Sequence, residues 1–242
     1  MRLLVIATLA LVCAGACGSR DDPAADHRDA QAAKPSPATP AVTRTGTPVT
    51  ARTTGRPRIV VLGDSLTAGL GLPVDQSYPS LLQQRLETKG LDYEVVNAGV
   101  SGDTSAGGLS RLDWSLDGNV RILIVALGGN DGLRGLPAEQ LKRNLAQIIE
   151  RAQARRITVV LAGMEAPPNY GQSYVAAFHQ VYPALARQYH LPLVPFLLLG
   201  VAGDSTMNQP DGIHPTAQGA RILAENVWAV LEPIAEGRPT RD

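Results

Sequence analysis

Cysteine is nearly missing from this 242-residue chain, and its two copies, Cys13 and Cys17, both lie in the first 17 residues. From Arg58 onward there is none, which excludes disulfides, thiolate metal sites and a cysteine nucleophile from the body of the protein. The redox compartment therefore leaves no disulfide signature. An excess of one charge is missing too. Lys and Arg number 22 and Asp and Glu number 22, with no basic block long enough to follow a phosphate backbone, so nucleic acid is not an expected partner. Aromatic residues make up 4% of the chain and include only two tryptophans, Trp114 and Trp228. Trp228 falls in a helix-period segment as packing, which leaves little support for a sugar-stacking platform. No internal repeat is visible. The apolar run from Leu3 to Leu11 is shorter than the roughly 18 residues needed to cross a bilayer, and polar residues follow it.

What that run does resemble is an export signal: Met1-Arg2, an apolar stretch, then small residues around Cys13 and Cys17. It is similar to a bacterial lipoprotein leader, which is cut just before a cysteine that then carries the lipid. The resemblance implies lipidation at Cys17, followed here by Gly18-Ser19, although Ala14 stands where that pattern prefers leucine. The chain is then expected in the bacterial cell envelope as a periplasm-facing lipoprotein, touching the membrane through its N-terminal anchor, or else as a soluble periplasmic or secreted protein. Residues 18 to 57 mix Ala, Pro, Thr, Ser and Gly without an apolar period, which predicts a flexible linker unable to offset its ordering entropy. The expected organisation is a signal over 1–17, a linker over 18–57 and one domain over 58–242.

Within that domain short apolar runs recur at Arg58–Leu62, Tyr93–Val96, Arg121–Leu127, Ile157–Leu161 and Leu193–Leu198. Rich in Val, Ile and Leu and bounded by glycine, proline or polar residues, they predict buried strands of a parallel sheet. Between them lie segments of helical period. Tyr78–Lys89 places Leu81, Leu82 and Leu86 on one face, and Pro137–Arg155 turns Leu141, Leu145, Ile148 and Ile149 inward. Gln172–Tyr189 and Thr216–Leu231 continue the pattern. Such βα alternation predicts a three-layer α/β/α sandwich with its site at the carboxyl ends of the strands.

The runs end in polar and glycine-rich residues that supply the candidates. Ser65 follows Gly63-Asp64 at the end of the first run, as a nucleophile or as a helix N-cap. A serine nucleophile needs a base, and the base needs a third group to orient it. Of four histidines, His27 falls in the linker, while His179 and His190 suit surface or helix-end roles. His214 sits in a turn before the last helix with Asp211 three residues earlier, as a base and its partner or as a polar helix entry. Acyl transfer also needs hydrogen-bond donors aimed at the developing oxyanion. Gly102 can offer its backbone N–H and Asn130 its amide, unless both only form turns. The Gly-x-Ser-x-Gly elbow of ordinary α/β-hydrolases is absent.

Taken together, Gly63-Asp64-Ser65-Leu66-Thr67-Ala68-Gly69, Val96-Asn97-Ala98-Gly99-Val100-Ser101-Gly102-Asp103-Thr104, Leu127-Gly128-Gly129-Asn130-Asp131-Gly132 and Asp211-Gly212-Ile213-His214-Pro215 resemble the four ordered blocks of the SGNH, or GDSL, hydrolase family. The similarity spans residues 58 to 234 and is greatest to its small bacterial branch of thioesterase I, lysophospholipase L1 and arylesterase. It implies a flavodoxin-like parallel five-stranded sheet of order 2-1-3-4-5. It also implies a triad of Ser65, His214 and Asp211, and an oxyanion hole of the Ser65 and Gly102 N–H groups with the Asn130 amide. Neither cofactor nor metal is implied. The implied substrates are aryl or short-to-medium acyl esters, lysophospholipids or acyl thioesters. Glu165 stands where some thioesterase-like relatives carry a base, which favours a neutral ester or a lysophospholipid over a strongly anionic substrate. A carbohydrate acetyl-esterase and a non-catalytic envelope binding protein are the alternative expectations.

Overall fold

The computed structural model describes residues 55–238. The expected signal, the lipidation site Cys17 and nearly all of the expected linker lie outside the described residues. Five strands form one parallel sheet: β1 (Arg58–Gly63), β2 (Glu94–Gly99), β3 (Val120–Ala126), β4 (Thr158–Ala162) and β5 (Leu193–Val194). Their spatial order is β2-β1-β3-β4-β5. Gly63 lies level with Gly99 on one side and Ala126 on the other, so the three strands end together on one rim.

Beyond Arg58, Arg121 and Thr158 at their starts the central strands are apolar, because both their faces are covered. Ile59, Val61, Leu62, Leu123, Ile124 and Val160 are fully buried, each side chain contributing about 1.5–3 kcal/mol of hydrophobic stabilisation. β2 corrects the expectation of a buried strand. It pairs only with β1 and buries none of its residues fully, Asn97 being exposed, as suits an edge strand. β5 is also shorter than the predicted Leu193–Leu198. Pro195 has no N–H to donate, so the ladder stops after Val194 accepts from the Gly163 N–H at 2.8 Å.

Four long helices cover the sheet: α2 (Tyr78–Thr88), α6 (Ala138–Ala154), α7 (Gln172–Tyr189) and α8 (Ala217–Ala235). Helix α6 buries Leu141, Leu145, Ile148 and Ile149, the face that its period predicts. Four shorter helices interrupt the strand-end connections: α1 (Ser65–Ala68), α3 (Ser105–Ser110), α4 (Leu112–Ser115) and α5 (Gly129–Leu133). With four to six residues each, they are too short for a hydrophobic period to reveal. Helix α2 packs with α8, and α6 packs with α3 and α7, giving a helical layer on each side of the sheet.

Candidate active site

The turn after β1 presents Ser65. Asp64, rather than Ser65, is the N-cap of α1, its Oδ1 accepting from the Leu66 N–H at 3.0 Å. That relieves Ser65 of capping and leaves its Oγ available. Two groups pin the turn from behind. Thr67 Oγ1 shares a 2.7 Å hydrogen bond with Tyr78 Oη, and Asn97 Nδ2 donates to the Thr67 carbonyl at 2.9 Å. Gly99 lets the backbone of Ala68 come close, since a Cβ there would collide with the Ala68 nitrogen.

The loop before α8 brings the second part. His214 Nε2 lies 2.9 Å from Ser65 Oγ, and His214 Nδ1 lies 2.7 Å from Asp211 Oδ2. Asp211 Oδ1 accepts the N–H groups of Ile213 at 2.9 Å and His214 at 3.0 Å. Hydrogen bonds from the His214 backbone, the His214 ring and the Ile213 backbone hold the Asp211 carboxyl down to about 2, so it is an anion at any physiological pH. Its side chain is 47% exposed, whereas that of His214 is 16% exposed. Gln209 Nε2 donates to the carbonyls of Leu70 at 2.7 Å and Pro215 at 2.9 Å, tying the histidine loop to the chain that follows Ser65.

On the other side of Ser65 the strand ends of β2 and β3 supply the polar groups. Gly102 adopts φ +85°, a left-handed conformation that disfavours a side chain. Its carbonyl accepts from Arg134 Nη2 at 2.9 Å. Asn130, in the first turn of α5, donates from Nδ2 to the Asp103 carbonyl at 2.9 Å and, at a longer 3.3 Å, to Asp64 Oδ2. Burial raises the Asp64 carboxyl from 3.8 to about 6, an effect opposed by the Leu66 N–H, the Asn130 amide and the charge of His214. Asp131 turns away from the cleft and accepts from both Ser105 N at 2.8 Å and Ser105 Oγ at 2.5 Å, anchoring α3.

One part of this region leaves no mark in the sequence. Arg111 Nε donates to Asp103 Oδ2 at 2.6 Å while its Nη2 donates to the Gly63 carbonyl at 2.9 Å. A single guanidinium thus joins the end of β1, just before Asp64-Ser65, to the loop that carries Gly102. No motif or spacing singles out Arg111, because its partners lie 48 and 8 residues away in different connections.

Ser65, Gly102, Asn130 and His214 face one cleft of about 680 Å³, while Asp211 stands behind the imidazole. That volume lies in the range of small-molecule sites. Leu66, Leu133, Met164, Ala166, Phe196 and Leu198 make much of its wall apolar. Pro167 and Pro168 border the cleft, so their loop does more than join β4 to α7. Glu165 also lines it, and Glu165 Oε1 lies 2.7 Å from Nδ1 of the exposed His179. His190 ends α7 in a left-handed conformation, and Trp228 is buried in α8. Trp114 is exposed outside the cleft lining.

Residues 61–222 match the GDSL-like lipase/acylhydrolase family. The chain belongs to that family. It is 49% identical over 177 residues to esterase TesA of Pseudomonas aeruginosa, covering 73% of this chain and 88% of that protein. With thioesterase 1/protease 1/lysophospholipase L1 of Escherichia coli K12 it shares 37% identity over 187 residues, which is 77% of this chain and 88% of the relative. The fold superimposes on that of the psychrotrophic esterase EstA from Pseudoalteromonas sp., solved with monoethylphosphonate as inhibitor, with a TM-score of 0.69 and 30% identity. That match covers 74% of this chain and 98% of the other. The five-stranded parallel sheet between helices is thus the fold of this hydrolase family.

Proposed function

We propose that this member of the GDSL family hydrolyses carboxylic esters through an acyl-enzyme on Ser65, with His214 as the base and Asp211 as its orienting anion. The unbroken line from Ser65 Oγ to His214 Nε2 at 2.9 Å and from His214 Nδ1 to Asp211 Oδ2 at 2.7 Å carries this reading. The Ser65 Oγ–H proton passes to His214 Nε2 as Oγ bonds the acyl carbon, and the carbonyl π electrons move onto its oxygen. The N–H groups of Ser65 and Gly102 and the Asn130 amide stabilise that oxyanion. Of the two Asn130 hydrogen bonds, the 3.3 Å contact with Asp64 is the weaker and is the one that the oxyanion displaces. Collapse then breaks the bond to the leaving group, which takes the proton from His214. Water repeats both steps and frees the acid.

The apolar wall of the cleft and the acid at Glu165 favour neutral aryl or acyl esters and lysophospholipids over strongly anionic thioesters. Phe196 is the one aromatic residue in its lining and neither tryptophan reaches it, which counts against a carbohydrate acetyl-esterase. The test is a serine-directed phosphonate followed by peptide mass analysis, with a panel of aryl esters, acyl thioesters, lysophospholipids and acetylated sugars. Label on Ser65 and turnover of the neutral esters are expected. Label elsewhere, or preferential turnover of acetylated sugars, contradicts the proposal. We also propose export to the bacterial envelope with a lipid on Cys17, checked by the mass of the mature N-terminus from a bacterial host. An unmodified Cys17 in a wholly soluble protein rejects the anchor and leaves the esterase reading untouched.

A further inference from the structure

Among the described residues eight large hydrophobic side chains are left exposed, and their distribution is uneven. Seven lie in the connections that leave the carboxyl ends of strands. Leu70 and Val74 follow β1, Val100 follows β2 and Leu133 ends the short helix after β3. Tyr170 follows β4, while Leu199 and Ile213 lie between β5 and α8. The exception is Trp114 in α4, which lies near the opposite rim, where its neighbour Asp113 pairs with Arg155 shortly before β4. The four connections that return from helices to strands at the opposite rim hold none of them. A scattered exposed leucine is ordinary, but seven apolar residues in the loops of one rim, three of them at the mouth of the cleft, make a docking surface.

This ring is continuous with the cleft, since Leu70, Leu133 and Ile213 belong to both. That continuity decides the occupant. A second copy or a globular partner seated on the ring would close the mouth through which the ester enters. A lipid aggregate covers the same residues and supplies the substrate. The charges on the rim select the kind of lipid. Glu165 is paired with His179, Asp103 with Arg111 and Asp211 with His214, which leaves the exposed acids Asp75 and Asp204 and the exposed base Arg134 in the strand-end loops. Anionic surfaces are drawn to basic clusters, and this rim has none.

We propose that the apolar ring seats the enzyme on neutral or zwitterionic lipid aggregates, from which single-chain lipid esters pass directly into the cleft. The proposal rests on the esterase reading above. Its test uses the full chain in a Cys17→Ser background, so that no acyl anchor contributes. Val74, 82% exposed, and Leu199, 62% exposed, do not line the cleft, and both are changed to Glu. Trp114→Glu serves as the off-ring control. Three quantities are measured: hydrolysis of p-nitrophenyl butyrate in free solution, hydrolysis of lysophosphatidylcholine micelles, and co-sedimentation with phosphatidylcholine vesicles.

The Val74→Glu/Leu199→Glu protein should keep its rate on the dissolved ester within about twofold. It should lose about tenfold or more in vesicle binding and micellar rate, as removal of two inserted apolar side chains requires. Trp114→Glu should change neither. Vesicle binding unaltered by the double change overturns the proposal. So does binding that appears only when phosphatidylglycerol is added, or a ring variant that turns a dimer into a monomer. Failure of the parent to cleave the dissolved ester would instead strike the esterase reading, while vesicle binding would still report on the ring.

Discussion

At the amino-terminal rim of the sheet, charge answers charge in the open. Arg56 Nε donates to Asp92 at 2.7 Å with side chains 48% and 78% exposed, Arg58 pairs with Glu94 at 2.9 Å, and Arg155 reaches Asp113 at 2.5 Å. At the carboxyl rim two carboxylates, those of Asp64 and Asp131, are drawn inside and answered by backbone, amide and hydroxyl donors. Asp64 and Asp131 are almost fully buried, and none of the buried side-chain polar atoms among the described residues lacks a partner. Exposed pairs in water are worth little, whereas a buried polar group commits its neighbours to one geometry. The first rim closes the fold; the second orders reactive groups at the cost of burying a carboxylate.

The sharpest break between the rims is expected from Ser65→Ala. It should cut kcat by about 10⁴-fold or more while leaving stability within about 1 kcal/mol. Steady-state kinetics with a urea titration read both, and substantial residual turnover would remove Ser65 from the chemistry. Asn130→Ala should lower kcat by about 10²–10³, roughly 2.7–4 kcal/mol, with little change in KM. An unchanged kcat with a raised KM would assign Asn130 to substrate positioning instead.

Asp64 tests what burying a carboxylate does to stability. Because its folded value, about 6, lies above the ordinary 3.8, the fold favours the protonated acid. Its contribution is fully present below pH 4 and is lost as pH rises through 6. Asp64→Asn keeps an acceptor for the Leu66 N–H without the charge. It should match the parent near pH 4 and exceed it in stability by up to about 3 kcal/mol above pH 7. Urea midpoints across pH 4–8 that run parallel for the two proteins would contradict that burial penalty. The smallest effect belongs to the other rim, where Asp92→Ala should cost about 0.2–1 kcal/mol, vanish in high salt and leave kcat alone.

Much of the sheet is legible in the sequence because buried parallel strands are apolar on both faces. β1, β3 and β4 fall within about a residue of the predicted runs, as do the ends of α2, α6 and α7. Where expectation and structure part, the cause is context. The half-burial of β2 follows from its place at the sheet edge, and β5 stops at Pro195 although Phe196, Leu197 and Leu198 extend its apolar run. The Asp211-His214 pair is local, and its spacing of three shows in the chain. Arg111 is a bridge between connections, and nothing beside it in the chain announces it.

The sequence by itself determined where the five strands and the four long helices lie, that no cysteine chemistry operates in the domain, and which polar residues stand at strand ends. Those properties depend on local period and composition, which a chain carries without being folded. Only the tertiary structure decided that Ser65 and His214, 149 residues apart, come within a hydrogen bond. It also decided that Asp64 is buried against Asn130 and that Leu70, Leu133 and Ile213, from separate loops, line one opening. Contacts between distant residues and the burial of a charge are set by which strands are neighbours, and the order β2-β1-β3-β4-β5 exists only once the sheet has assembled.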